Sequence, residues 1–219
     1  MGQKVNPHSF RLGNLYTWDS LWYASNRGYS KYLLEDVKIR RFLSEKLKSA
    51  GLVKIEIERS VNSIKLRFHV SRPGVVIGRG GTNLDSLKGE LAKLLKIDLN
   101  DKRAMKIQID EIVEIKKPDT EAKLVAERIA EQLVKRFPQR RAVSQAMEKA
   151  MGSGAKGIKI VLAGRINGAE IGRREKYADG TVPTQTLRAD ISYAHTPAKT
   201  RSGYVGVKVW VHRGEKLTK

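Results

Sequence analysis

Cysteine is missing from all 219 residues. That removes disulfides, thiolate metal sites, iron–sulfur clusters and cysteine nucleophiles together, and points to a reducing cytoplasm. No run of about 18 apolar residues occurs, so no membrane span is expected. Residues 1–13 are polar and broken by Pro7, unlike a secretory signal. Asn6 stands where a myristoylation signal asks for Ser or Thr. Neither a Walker phosphate loop, G-x-x-x-x-G-K-[ST], nor a nucleophile elbow, G-x-S-x-G, is present. His8, His69, His195 and His212 lie scattered without metal-ligand spacing. Carboxylates are scarce, 23 Asp and Glu against 43 Lys and Arg, and none cluster as a nuclease metal site would require. The sequence therefore gives no sign of catalysis, and no cofactor is expected.

The residue types in excess are cationic. A formal charge of +20 on 24.6 kDa, with a pI near 10.2, makes a polyanion the expected partner. Hydrophobic residues at 40% are too many for a disordered basic tail. The excess is also spread out: segments 1–50, 51–118 and 199–219 each carry +5, and 136–177 carries +7. A single gripping face would concentrate the charge, so contact along several surfaces is expected.

Residues 1–29 show no strong period and hold Trp18, Trp22 and Tyr23; they read as an N-terminal arm. Ser30 as N-cap and Gly51 as C-terminal stop bracket a helix with Ile39, Leu43 and Leu47 on one face. Val53, Ile55 and Ile57, then Ile64, Leu66, Phe68 and Val70, alternate with polar residues across an Asn62-Ser63 turn and predict a hairpin. A short apolar helix follows, broken at Gly78-Arg79-Gly80-Gly81. The next helix starts at Thr82, which has capping-box spacing to Asp85, and a third strand runs over 105–109. After Pro118 the pattern changes. Two helices, carrying Val125, Ile129 and Leu133 and then Val143, Met147 and Met151, precede four strand-like runs at 157–166, 169–177, 184–194 and 203–212. Turns are expected at Asn167-Gly168 and Asp179-Gly180, and a loop from His195 to Gly203 around Pro197. The fold class is α+β in two modules: an arm over 1–29, a unit over 30–117, and a second unit over 118–219 with a short basic tail.

A glycine loop between two helices lets a sugar–phosphate chain approach the backbone, and the following helix N-terminus adds free N–H groups beside Arg79. A G-x-x-G alone is weak, but in this order of elements Gly78, Arg79, Gly80 and Gly81 resemble the loop of a type II KH domain. The bland alternative is a helix–helix turn that needs positive φ. Gly152-Ser153-Gly154-Ala155-Lys156-Gly157 matches the dinucleotide fingerprint, but a helix precedes it and a strand follows, the reverse of what that fingerprint needs; it reads as a helix stop. Lys135, Arg136, Arg140 and Arg141 flank Pro138 and read equally as phosphate contacts or as a solvated helix face. Arg165, Arg173, Arg174 and Lys176 flank the Asn167-Gly168 turn and read as a second phosphate-facing edge. A free transcript-binding KH regulator would leave the +7 of 136–177 without purpose, and a nucleic-acid enzyme would need the acids or ATP loop found missing.

Several strings together resemble one family closely: Met1-Gly2-Gln3-Lys4-Val5-Asn6-Pro7 with Arg11-Leu12-Gly13, Val76-Ile77-Gly78-Arg79-Gly80-Gly81, Gly154-Ala155-Lys156-Gly157-Ile158-Lys159, Thr186-Leu187-Arg188-Ala189-Asp190-Ile191, and Gly206-Val207-Lys208-Val209-Trp210. The chain is similar over its length to the bacterial small ribosomal subunit protein three family. That resemblance implies a type II KH domain followed by an α+β domain of two helices and a four-stranded sheet. It further implies a cytoplasmic, ribosome-bound structural protein contacting small-subunit ribosomal RNA, messenger RNA and neighbouring small-subunit proteins. Of these neighbours, numbers ten and fourteen lie beside the second domain, and four and five share the messenger tunnel. In the family, basic residues at the start of the second domain's second helix line that tunnel and assist messenger unwinding, a role that falls here on Arg140 and Arg141. The sequence departs from the pattern at Ser144 and Gln145, where many members are basic, and at Arg79-Gly80, where many carry two lysines. Both departures imply a weaker grip on messenger.

Overall fold

The computed structural model describes residues 3–60, 62–95 and 106–216. The chain separates into two compact units, 18–116 and a discontinuous one that joins the opening residues to 117–216.

In the first unit a four-stranded sheet has the order β1-β2-β3-β4: Ser20–Leu21, Leu52–Arg59, Ser63–Val70 and Lys106–Glu114. β2 and β3 form the expected antiparallel hairpin, while β1 joins β2 and β4 joins β3 in parallel. Alternation decides which side chains are inside. Ile55 and Ile57 of β2 and Ile64, Leu66 and Phe68 of β3 are buried against Ile39, Leu43 and Leu47 of α1 (Asn26–Lys46), Val76 of α2 (Pro73–Ile77) and Leu87 and Leu91 of α3 (Thr82–Leu95). After β1, a strand not foreseen in the opening residues and a fourth in a sheet expected to have three, the order is the helix, strand, strand, helix, helix, strand of a type II KH domain.

Two boundaries differ from the sequence reading. α1 starts at Asn26, with Ser25 rather than Ser30 before it, because the Ser25 carbonyl already accepts the Gly28 and Tyr29 amides. β4 runs on to Glu114, five residues past its expected end, accommodating an irregularity where Leu66 faces Ile109 but Arg67 faces Glu111. The expected start of that strand at Met105 lies outside the described residues.

In the second unit α4 (Ala122–Val134) and α5 (Gln139–Gly152) cover one face of a sheet ordered β6-β5-β8-β7. Its strands are β5 (Gly157–Gly164), β6 (Arg173–Gly180), β7 (Ala189–Thr200) and β8 (Gly203–Glu215), all antiparallel. Ile158, Ile160 and Leu162 of β5 and Val205, Val207, Val209 and Val211 of β8 meet Val125, Ile129 and Val143 in one core. Of the loop expected from His195 to Gly203, residues through Thr200 are strand and only the turn at 201–202 remains. Pro197 is accommodated because β7 is an edge, paired only with β8, where a missing N–H costs no ladder bond. Residues 184–188, expected as strand, lie outside β7, and β6 begins at Arg173 rather than 169. The glycines of 152–157 end α5 and turn the chain into β5: Gly154 has φ +92°, and the Ala155 amide reaches back to the Ala150 carbonyl.

The opening residues, read from the sequence as an N-terminal arm, divide between the two units, 3–17 with the second and 18–29 with the first. Arg11 is fully buried and donates to the carbonyls of Pro7 (2.9 Å), Ala189 (2.7 Å), Thr184 (3.0 Å) and Thr186 (2.8 Å). The Tyr16 hydroxyl donates to Asp190. From Trp18 onward the chain belongs to the first unit, where buried Asp36 accepts from the Trp22 indole (2.8 Å) and from Arg59 (2.6 Å).

Candidate nucleic-acid interface

α2 ends because Gly78 leaves the helix at φ +72°, ψ −178°. A side chain there would be strained, and its Cβ would lie 2.7 Å from the Asn83 Cγ. Asn83 sits so close because its amide donates to the Val75 carbonyl at 3.1 Å, stapling the start of α3 to α2. Sequence reasoning passed over Asn83, whose only signal is an amide just after the glycines. The Thr82 hydroxyl donates backwards to the Arg79 carbonyl at 3.1 Å, a bond that ties the glycine turn itself to the head of α3. Arg79 and Gly80 are exposed, with the apolar side chains of Val75 and Ile77 at the surface beside them. The arrangement offers backbone and one cation to a phosphate chain next to a small apolar shelf.

The corner between α4 and α5 carries four more of the candidate cations. α4 closes with the Phe137 amide on the Gln132 carbonyl and the Arg136 amide on the Leu133 carbonyl. That pairing places Arg136 at φ +60°, a position that normally takes glycine. Lys135, Arg136, Arg140 and Arg141 are all exposed, because the buried stripe of α5 is Ala142, Val143, Ala146 and Ala150. The Arg141 guanidinium lies over the Phe137 ring, 5.5 Å from its centre. Arg140 neighbours Glu175 and Tyr177 on β6. The Glu175 carboxyl is held below its usual range by the Tyr177 hydroxyl first and then by Arg173. Burial, then Glu175, pushes Tyr177 up. Ser144 and Gln145 follow on the exposed face.

The third group divides. The Arg165 guanidinium donates to the Ala169 (2.8 Å) and Ser202 (3.3 Å) carbonyls, holding two turns together. Arg173 pairs with Glu175 at 2.7 Å on the helix-covered side. Arg174 and Lys176, one and three residues on, have the opposite parity and face the other way. The sequence cluster is thus one structural arginine, one paired arginine and two outward cations.

Among the described residues no group of His, Asp and Glu is arranged to hold a metal ion, and no helix is long and apolar enough to cross a membrane.

Residues 38–120 match the family model of the KH domain, and residues 129–211 match that of ribosomal protein S3, C-terminal domain. The chain is 48% identical over 217 residues to small ribosomal subunit protein uS3 of Clostridium novyi, covering 99% of this chain and 95% of that protein. It is 51% identical over 219 residues to the protein of the same name from Desulforudis audaxviator, with 99% and 95% covered. To that of Clostridioides difficile it is 50% identical over 218 residues, covering 99% of this chain and 77% of the relative.

Proposed function

The chain belongs to the family of small ribosomal subunit protein uS3, and from its structural role in the small subunit we propose that the α4–α5 corner lines the tunnel through which messenger RNA passes. Lys135, Arg136, Arg140 and Arg141 contact messenger phosphates there. The two arginines of α5 help part structured messenger by holding one strand as its partner is drawn away. Exposed, unpaired cations elsewhere on the chain neutralise ribosomal RNA in the head of the subunit. The second unit docks beside small-subunit proteins ten and fourteen, and proteins four and five complete the tunnel. The Gly78 to Gly81 loop serves the first unit as a further backbone contact.

What supports the tunnel reading is the corner itself. Arg136 occupies a left-handed position at a cost of roughly 1–2 kcal/mol relative to glycine, and strain of this kind concentrates where a side chain has work to do. Changing Arg140 and Arg141 together to Ala alters only exposed side chains, so subunits should assemble normally while ribosomes carrying the variant slow at a stable messenger hairpin. Hairpin transit at the wild-type rate would reject the reading.

A further inference from the structure

Each sheet has one face against helices and one turned away from them, and the two open faces handle charge differently. On the first unit's sheet, Arg67 meets Glu56 (3.3 Å) and Glu111 (3.0 Å), Lys54 meets Asp19 (3.0 Å) and Glu56 (2.9 Å), and His69 meets Glu56 (3.2 Å). Charge there is settled within the protein.

The second unit's sheet is the reverse. Its register sets Lys159 of β5 beside Trp210 of β8, and sets Val161 between Lys176 of β6 and Lys208 of β8. Arg174 lies one step further along β6, opposite Ala163. The three cross-strand rows through Lys159, Val161 and Ala163 contain no Asp or Glu. Lys4, carried in by the opening segment, comes close enough to Lys159 to oppose its charge. The Lys159 ammonium is held below its ordinary range, by burial first, then by Lys4, Lys176 and Arg174. Among the described residues none of these five cations forms an ion pair.

Crowded like charges on a stiff surface are costly unless an outside anion balances them. Strand spacing of about 4.8 Å puts Lys176 and Lys208 about 10 Å apart on a nearly flat lattice. The aromatics in the row through Lys159 are already engaged: Trp210 is only 9% exposed beneath the Lys159 ammonium, 5.1 Å from its ring centre, and half-buried Tyr193 packs tilted against Trp210 with centroids 5.0 Å apart. A face of regularly spaced cations, with no acid in three rows and its aromatics packed on each other, suits the regular backbone of a helix rather than splayed bases.

We propose that the open face of β5, β6 and β8, built from Lys159, Arg174, Lys176 and Lys208 and completed by Lys4, is a docking surface for the sugar–phosphate backbone of helical RNA. It rests on the RNA-binding role above and adds to it a surface distinct from the α4–α5 corner.

The test uses the full chain, with Lys159, Lys176 and Lys208 changed together to Gln, and separately to Arg. Binding to a labelled RNA hairpin of about twenty base pairs, and to a single strand of equal length, is followed through a potassium chloride titration. The Gln variant should melt at or above the wild-type temperature, because repulsion has been removed. Its plot of log affinity for the hairpin against log salt should be shallower by about two to three units, with a smaller change for the single strand. The Arg variant should keep the wild-type slope. A Gln variant with the wild-type slope would overturn the proposal and leave the RNA-binding role standing, as would an equal loss for both RNAs. A wild-type chain that shows no salt-dependent binding would overturn both.

Discussion

Arg11 buries a full positive charge with backbone carbonyls as its direct hydrogen-bond acceptors. Such an arrangement stabilises only while every donor is used, since each abandoned buried acceptor costs on the order of 1–3 kcal/mol. Arg11→Ala should therefore lower the stability of the second unit by about 3 kcal/mol or more. Hydrogen exchange should show residues 3–16 and 183–189 losing protection together, with β2 and β3 unchanged. Beside it, burial works to raise the Asp190 carboxyl, but Arg213, Tyr16 and Lys216 outweigh burial and hold it below its ordinary 3.8. A carboxyl depressed in the folded state contributes stability above its unfolded value and loses it as pH falls through the folded one. The Tyr16–Asp190 tie should then persist down to about pH 4 and weaken below it, and Asp190→Asn should flatten that acid limb in urea titrations read by hydrogen exchange in β7 and β8. None of this was legible in the sequence. Arg11 reads there as one more cation in a polar stretch, because all the carbonyls that claim it except that of Pro7 lie 172 to 178 residues away. Asn83 was missed for the opposite reason: its partner Val75 is close, but nothing in the sequence marks an amide as a staple.

At the level of elements, period and parity carried most of the information. Alternation found the β2–β3 hairpin, and helical spacing found the stripes of α4 and α5, while β5 and β8 were read only as strand-like runs. Errors arose where one residue type has two meanings. Pro197 reads as a loop but stands in an edge strand, and Ser30, read as the N-cap of α1, lies inside that helix. Arg173, Arg174 and Lys176 look like one cluster until the strand sends alternate residues to opposite faces. The same alternation, Lys between apolar neighbours in Ile158-Lys159-Ile160 and Val207-Lys208-Val209, was the unread signal for the outward cations. The α4 terminus gives a prediction of its own. Arg136→Gly relieves the left-handed strain and should raise stability by about 1 kcal/mol. It also deletes one phosphate contact, so the salt slope of messenger binding should fall by about one unit. A mutation that strengthens the fold while weakening the grip separates these two duties of one residue.

For the molecule as a whole, the order of residues along the chain and their order in space disagree: the second unit is built from both ends of the sequence and the first from its middle. A fragment covering 117–219 keeps its helices and sheet but lacks Arg11 and Tyr16. It should unfold at a lower urea concentration than the same unit in the full chain, and a synthetic peptide of residues 3–17 should restore part of the difference. The 18–116 fragment, whose contacts to Asp36 are all internal, should unfold as it does in the parent. The discontinuity also sets a timetable for biosynthesis. Arg11 leaves the synthesising ribosome early, while its acceptor at Ala189 follows 178 residues later. At about 5–20 residues per second, that is a delay of roughly ten to forty seconds. Throughout it the nascent N-terminus carries an unsheltered guanidinium, and the intervening module can fold before the closing clasp exists.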